Sequence, residues 1–163
     1  MIVYLGLGSN LGDRESHLRS AIDSLQLRGL TFKRCASLYW TEPRDVPDQP
    51  WFLNTVVEAS TDLDPVTLLQ ECLSVEKSAG RVRDLTKGPR TLDIDILLCG
   101  PQVIQTPELV VPHPRLSERR FVLVPLAELE PELHVPLIKT SVKSLLDSCA
   151  DPGVVRPYGP PLL

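Results

Sequence analysis

Gly88-Pro89-Arg90-Thr91-Leu92-Asp93-Ile94-Asp95-Ile96-Leu97-Leu98 carries a turn into a strand. Glycine and proline close the turn and hand Arg90 to the start of an alternating run. In that run Leu92, Ile94, Ile96 and Leu98 are expected on one face, and Asp93 and Asp95 on the other. Side chains two apart share a face at a backbone separation of about 6.6 Å. Aspartate is depleted in strands, and two like charges on one face repel. A divalent cation between them removes that cost, and hard oxygen ligands select Mg²⁺ or Mn²⁺. Asp-x-Asp on a solvated strand face needs no metal, so the surrounding residues decide between these readings.

Those neighbours are basic. Arg81, Arg83 and Lys87 lie upstream, and His113, Arg115, Arg119 and Arg120 lie downstream. Residues 77–120 hold eight of the chain's 17 lysines and arginines. Carboxylates that hold metals, ringed by guanidinium groups, are what phosphoryl transfer requires.

The bulk numbers frame this. At 163 residues, 42% hydrophobic and 23% charged, the chain has the make-up of a soluble globular domain. A net charge of −4 disfavours a general nucleic-acid binder and leaves the basic cluster for a small anionic ligand. No run approaches the roughly 20 apolar residues of a membrane span. The amino terminus reads directly as a strand without a signal-peptide pattern. Cys35, Cys72, Cys99 and Cys149 are scattered and read as reduced core thiols. A cytoplasmic monomer, with no nucleic-acid or membrane partner, is the expectation.

Working outward, Ile2–Leu7 reads as a buried strand. Asp13 caps a helix to about Leu27 with a stripe of Leu18, Ala21, Ile22 and Leu25. Thr31–Trp40 reads as a second strand and Leu53–Thr61 as a third. The stretch between them, Thr41–Phe52, is a long loop of the kind that carries function. Asp64-Pro65 opens a second helix with a stripe of Leu68, Cys72, Val75 and Ala79, ended by Gly80. A basic loop leads to the Asp-bearing strand over Leu92–Cys99. A hairpin or loop follows to His113, then short helices near Arg119–Leu129 and Ser141–Ser148. Residues 1–150 are expected to form a single domain, and the Pro- and Gly-rich tail 151–163 to be poorly ordered.

The order strand, helix, strand, strand, helix, strand defines an α+β fold. It is the ferredoxin-like split βαβ sandwich, an antiparallel-rich sheet with helices on one face and extra C-terminal elements. The first and fourth strands are expected side by side at the sheet centre.

The motifs resemble the 6-hydroxymethyl-7,8-dihydropterin pyrophosphokinases of folate biosynthesis. The pieces are Tyr4-Leu5-Gly6-Leu7-Gly8-Ser9-Asn10-Leu11-Gly12, Thr41-Glu42-Pro43, Gln49-Pro50-Trp51-Phe52-Leu53-Asn54, Gly80-Arg81-Val82-Arg83, the Gly88–Asp95 run, Val111-Pro112-His113-Pro114-Arg115, and Arg119-Arg120-Phe121-Val122-Leu123. They occur in order across about residues 1–135. The resemblance implies a ferredoxin-like fold. It also implies transfer of pyrophosphate from ATP to the pterin's hydroxymethyl group, with release of AMP and two Mg²⁺ ions.

It further implies site residues. Asp93 and Asp95 match the metal ligands. Arg81 and Arg90 match positions that hold phosphates and, with the Asp pair, make up the catalytic set. ATP brings about −4, two Mg²⁺ +4 and two carboxylates −2, so two arginines return the site to neutrality. Glu76, Arg83, His113 and Arg119 also match the ATP side. On the pterin side stand Gly8, Thr41, Pro43, Phe52, Asn54 and Phe121. A pterin is flat and guanine-like; two phenylalanines can stack on its faces and an amide can donate to and accept from its edge. The chain departs from some relatives where Thr86-Lys87 replaces a basic residue and Trp before Gly-Pro-Arg. The loop there, a candidate lid over the phosphates, is about a residue shorter.

Two other classes share some of these residues. A metal-dependent phosphodiesterase would use the Asp pair without ATP, and a non-catalytic nucleotide-binding module would have no need of the carboxylates. The glycines at 6, 8 and 12 miss the dinucleotide-binding spacing, and there is no Walker A loop.

Overall fold

The short apolar run with small residues at alternate positions, Ile2–Ser9, forms strand β1. It pairs antiparallel with β4, Phe52–Thr61, on one side and with β5, Asp93–Cys99, on the other. The computed structural model describes residues 1–44, 48–80 and 91–163. Arg81, Arg83 and Arg90, and the lid and turn around them, lie outside the described residues.

Helix α1, Arg14–Leu27, is capped by Asp13, whose carboxylate accepts from the Ser16 amide. Its buried residues are Leu18, Ala21, Ile22 and Leu25. Helix α2, Pro65–Ser78, is capped by Asp64 through the Thr67 amide at 2.7 Å. It buries Leu68, Cys72 and Val75. Both stripes join one apolar cluster with Val3, Leu5, Leu7, Val57 and Ala59 of the sheet. Each fully buried leucine contributes roughly 2 kcal/mol.

The expected second strand divides in two: β2, Leu30–Cys35, and β3, Leu38–Thr41. Each pairs with a different half of β4. At the break, the Thr55 hydroxyl donates towards the Ala36 and Ser37 carbonyls at 3.0 and 3.1 Å. Glu128 accepts from both the amide and the hydroxyl of Ser37.

The sheet path runs from β10, Val155–Gly159, through β3, β4 and β1 to β5, with β2 also on β4. Strand β1 is therefore an inner strand beside β5, as expected, but β4 holds the middle of the path and the Asp-bearing β5 ends it. A hairpin of β6, Ile104–Gln105, and β7, Val110–Val111, lies nearby, and the His113 amide donates to the Leu97 carbonyl of β5. A register shift between Tyr4 and Leu5 pairs Leu5 with Ile96 but Tyr4 with Leu98. The extra residue is Leu97, and this bulge reverses the alternation. Ile94 and Ile96 join the α1–α2 cluster as expected, whereas Leu98 packs with Leu97, Tyr4 and Val56 on the opposite side.

The extra C-terminal elements cover part of that opposite side. Helix α3, Arg120–Leu129, packs Val122, Leu123 and Leu126 there. Helix α4, Val142–Asp147, adds Val142 and Leu145. Pro125 sits inside α3 and removes the amide that would donate to the Phe121 carbonyl. A small ribbon of β8, His134–Val135, and β9, Thr140–Ser141, precedes α4. The tail also differs from expectation. Val155–Gly159 forms β10, which pairs antiparallel with β3. Pro157 is tolerated because β10 is an edge strand, where a missing donor can face away from the partner.

Candidate active site

The part of the sheet that α3 and α4 leave open is floored by glycine. Gly6 lies opposite Asp95 on β5 and Val56 on β4; Gly8 lies opposite Asp93 and Asn54. A Cβ on Gly6 would sit 3.8 Å from the Asp95 Cβ, and one on Gly8 only 2.3 Å from Asn54 Oδ1. Glycine thus keeps a low floor between a carboxylate strand and an amide strand. With strands about 4.8 Å apart, the backbones at Asp93 and Asn54 are separated by roughly 10 Å. Above this floor lies a cleft of about 540 Å³.

At the acidic end, Asp93 and Asp95 are half-buried on one face of β5 and line the cleft. Arg119 Nη1 lies 3.6 Å from Asp95 Oδ2. The same guanidinium stands 5.5 Å over the Phe121 ring, joining the acidic end to an aromatic wall. His113 also lines the cleft. Burial holds its imidazole down to about 4, with the Arg119 charge adding to the effect, so it is neutral at neutral pH. The Arg115 amide donates to Nδ1 at 3.2 Å, which assigns the ring proton to Nε2.

Glu76 is not an exposed helix glutamate. It is 1% exposed, and its carboxylate accepts from the Ile94 amide at 2.7 Å, between the two aspartates. It thereby fastens α2 to the start of β5. Leu69 and Leu73, one turn apart on α2, continue the wall, with Leu109 and Val110 of the hairpin region. Because β5 ends the sheet path, the cleft reaches past its edge to these side chains.

At the amide end, Asn54 is 8% exposed and donates through Nδ2 to Thr41 Oγ1 at 2.6 Å. Phe52 and Phe121, from β4 and α3, line the cleft with Thr41 and Pro43. Every described residue of the expected site therefore meets here: Gly8, Thr41, Pro43, Phe52, Asn54, Glu76, Asp93, Asp95, His113, Arg119 and Phe121.

Sequence reasoning missed the residues that organise the rim. Asn10 is fully buried, donating to Gln49 Oε1 at 2.9 Å and the Pro50 carbonyl at 3.0 Å. Arg14 donates to the carbonyls of Asn10 and Trp51 and stacks on Trp40. Arg44 and Gln49 line the cleft itself. Asn10 and Gln49 stood inside matched motifs, but nothing in their local pattern indicated that they touch.

The donor set suits a hard divalent cation. Two half-exposed carboxylates on one strand face can take Mg²⁺ if phosphate oxygens and water complete its shell. No group of three or more His, Cys, Asp or Glu able to hold a metal occurs among the described residues.

A ferredoxin-like sheet carrying a carboxylate pair at one end of a cleft and an amide with aromatic walls at the other defines a small-molecule transferase of the α+β class. The family described as 7,8-dihydro-6-hydroxymethylpterin-pyrophosphokinase (HPPK) matches residues 4–131, and the chain belongs to that family. It is 48% identical over 129 residues to a 2-amino-4-hydroxy-6-hydroxymethyldihydropteridine pyrophosphokinase of Bacillus subtilis, covering 78% of this chain and 77% of that one. To the Pseudomonas aeruginosa protein of the same name it is 41% identical, over 94% of this chain and 95% of the relative. It also matches the folic acid synthesis protein fol1 of Pneumocystis carinii at 39% identity over 91% of this chain, but spans only 20% of that longer protein. A crystal structure of Plasmodium falciparum HPPK-DHPS with pteroate shares the fold, with a TM-score of 0.73 at 15% identity over 90% of this chain and 42% of that one. No helix among the described residues is long and apolar enough to cross a membrane.

Proposed function

We propose that this protein transfers the pyrophosphoryl group of ATP to the hydroxymethyl oxygen of 6-hydroxymethyl-7,8-dihydropterin in folate biosynthesis, releasing AMP. The observation that carries the reading is the glycine floor with Asp93 and Asp95 on one side and Asn54 on the other. It lets a triphosphate over the carboxylates and a flat heterocycle over the amide meet end to end. The pterin oxygen bonds to the β-phosphorus, the bridge to the α-phosphate breaks with its electrons leaving on AMP, and the hydroxyl proton is lost.

Asp93 and Asp95 would hold Mg²⁺ ions carried in with ATP. Bound there, the ions supply charge neutralisation and polarisation of the phosphate oxygens. The chain's own residues do the rest. Arg119 faces the acidic end with a fixed positive charge, and neutral His113 offers an Nε2 proton to a phosphate oxygen. Glu76 sets the β5 backbone between the two aspartates. Phe52 and Phe121 flank the ring, while Asn54, steadied by Thr41, reads its edge and Pro43 closes the rim. From the family resemblance, Arg81, Arg83 and Arg90 complete the phosphate side. Positioning and charge neutralisation then provide most of the catalysis.

The test is an ATP-to-AMP assay with 6-hydroxymethyl-7,8-dihydropterin, with and without Mg²⁺. AMP formed only when pterin and metal are both present is the expected result. AMP formed without pterin, or none under any of these conditions, would overturn the reading.

A further inference from the structure

The C-terminal segment does more than complete the sheet. The Glu42 amide donates to the Val154 carbonyl at 3.1 Å, just beyond the pairing of Val155 with Thr41. Two residues on, Arg44 turns back towards the same segment. Its Nε lies 3.0 Å from Asp151 Oδ1, and its Nη1 lies 3.2 Å from Glu42 Oε1. Asp151 is held firmly: its side chain is 7% exposed, Oδ1 accepts from the Gly153 amide at 2.9 Å, and Oδ2 accepts from the Arg120 amide at 3.1 Å. Gly153 fits closely under the arginine, since a Cβ there would come 2.9 Å from Arg44 Cδ.

One carboxylate therefore joins two walls of the amide end of the cleft. On one side is the rim Thr41–Arg44; on the other is the first turn of α3, where Arg120 precedes Phe121. A recess of about 210 Å³ lined by Arg44, Arg115, Glu118, Arg119, Phe121 and Asp151 lies between them and shares Arg44, Arg119 and Phe121 with the main cleft. We infer that Asp151 is a positioning residue for the pterin substrate, setting the spacing between the Thr41–Arg44 rim and Phe121 through its ion pair with Arg44 and its bond to the Arg120 amide. The inference rests on the reading that this end of the cleft receives the pterin. A rim left to swing away from Phe121 must be brought back when the ring binds, so weaker acceptor binding is the expected result. Asp151 bonds neither Asp93 nor Asp95, and the Arg119 side chain is paired with Asp95, so ATP binding and the chemical step are expected to change less than pterin binding.

The experiment is steady-state kinetics with pterin and ATP varied separately, on wild type, Asp151→Asn, Asp151→Ala, Arg44→Gln and the double variant Asp151→Ala/Arg44→Gln. Arg44 is partly solvated, which moderates the effect, so the pterin KM should rise about fivefold to tenfold in each single variant. The KM for ATP and kcat should stay within about twofold, and the double variant should be no worse than the worse single, as expected for two halves of one contact. Asp151 does not line the main cleft whereas Arg44 does, so Asp151→Asn, which weakens the ion pair without removing a cleft-lining side chain, decides the matter even if Asp151→Ala does not fold. Unchanged pterin KM in Arg44→Gln and Asp151→Asn, a parallel rise in both KM values, or additive losses in the double variant would overturn the inference. Those results with normal wild-type turnover leave the functional reading standing. A wild-type protein that turned over no pterin would remove both.

Discussion

Gly8 has no room for a methyl group, because Asn54 Oδ1 occupies the space at 2.3 Å from an ideal Cβ. Asn54 is tied to Thr41 through Nδ2, so it can yield only by giving up that bond. Gly8→Ala should therefore raise the pterin KM by about tenfold, in line with the loss of one buried hydrogen bond. ATP affinity, measured by calorimetry without pterin, should be nearly unchanged; an equal loss of both affinities would contradict the division of the cleft. His113 gives a pH test on the metal-free protein. Its folded value is lowered to about 4 from an ordinary 6.5, chiefly by burial. Between those values the unfolded chain binds the extra proton, so this contribution to stability is complete above about pH 6.5 and is lost as pH falls towards 4. Urea midpoints taken across that range should fall less steeply in His113→Asn than in wild type. Parallel slopes would mean that His113 is not buried as a neutral ring. At this scale the sequence showed the residue types well and their surroundings badly. The Asp-x-Asp alternation put both carboxylates on one face, but the helical pattern gave no sign that Glu76 turns inward to the Ile94 amide, because that bond depends on how β5 packs against α2 and not on the helix itself.

Periodicity and caps made helices α1 and α2 legible. Asp13 and Asp64 fix their starts, and a 3.6-residue stripe marks the buried face of each. The break between β2 and β3 was not legible, because Thr31–Trp40 holds no glycine or proline to mark it and reads as a single strand. The break is made by tertiary bonds, above all the Thr55 hydroxyl to the Ala36 and Ser37 carbonyls. Thr55 is 1% exposed, so Thr55→Val keeps its shape and leaves two carbonyls without that donor. It should destabilise the protein by about 1–2 kcal/mol. The thermal midpoint should drop by roughly 3–6 °C for a chain of this size. An unchanged midpoint would show that the break does not depend on this hydroxyl. Alternation likewise assigns a strand's faces but not its neighbours, which is why β5 could be read as a strand and still be misplaced at the sheet centre. Composition misled in the tail for a related reason: proline argues against a central strand, but β10 lies at an edge.

At the scale of the whole molecule, the cleft lies across a sheet that separates two apolar clusters, one with α1 and α2 and one with α3 and α4. Both clusters are built from side chains alone, and among the described residues no group of three or more potential ligands encloses a cation. A metal bound by Asp93 and Asp95 would then belong to the nucleotide complex and not to the folded frame. The distinction can be measured by thermal unfolding. Excess chelator should leave the midpoint of the ligand-free protein within about 1 °C of its untreated value, whereas loss of a structural metal would lower it far more. ATP with Mg²⁺ at a hundredfold excess over Kd should add about 2.7 kcal/mol of stability by mass action. Chelator added to that mixture should remove most of the gain, because without the ions the negative charge of the triphosphate would face the carboxylates of Asp93 and Asp95 directly. A chelator-induced drop without nucleotide would make the metal part of the fold. An ATP gain that survives chelation would mean that the arginines hold the triphosphate without help from Asp93 and Asp95.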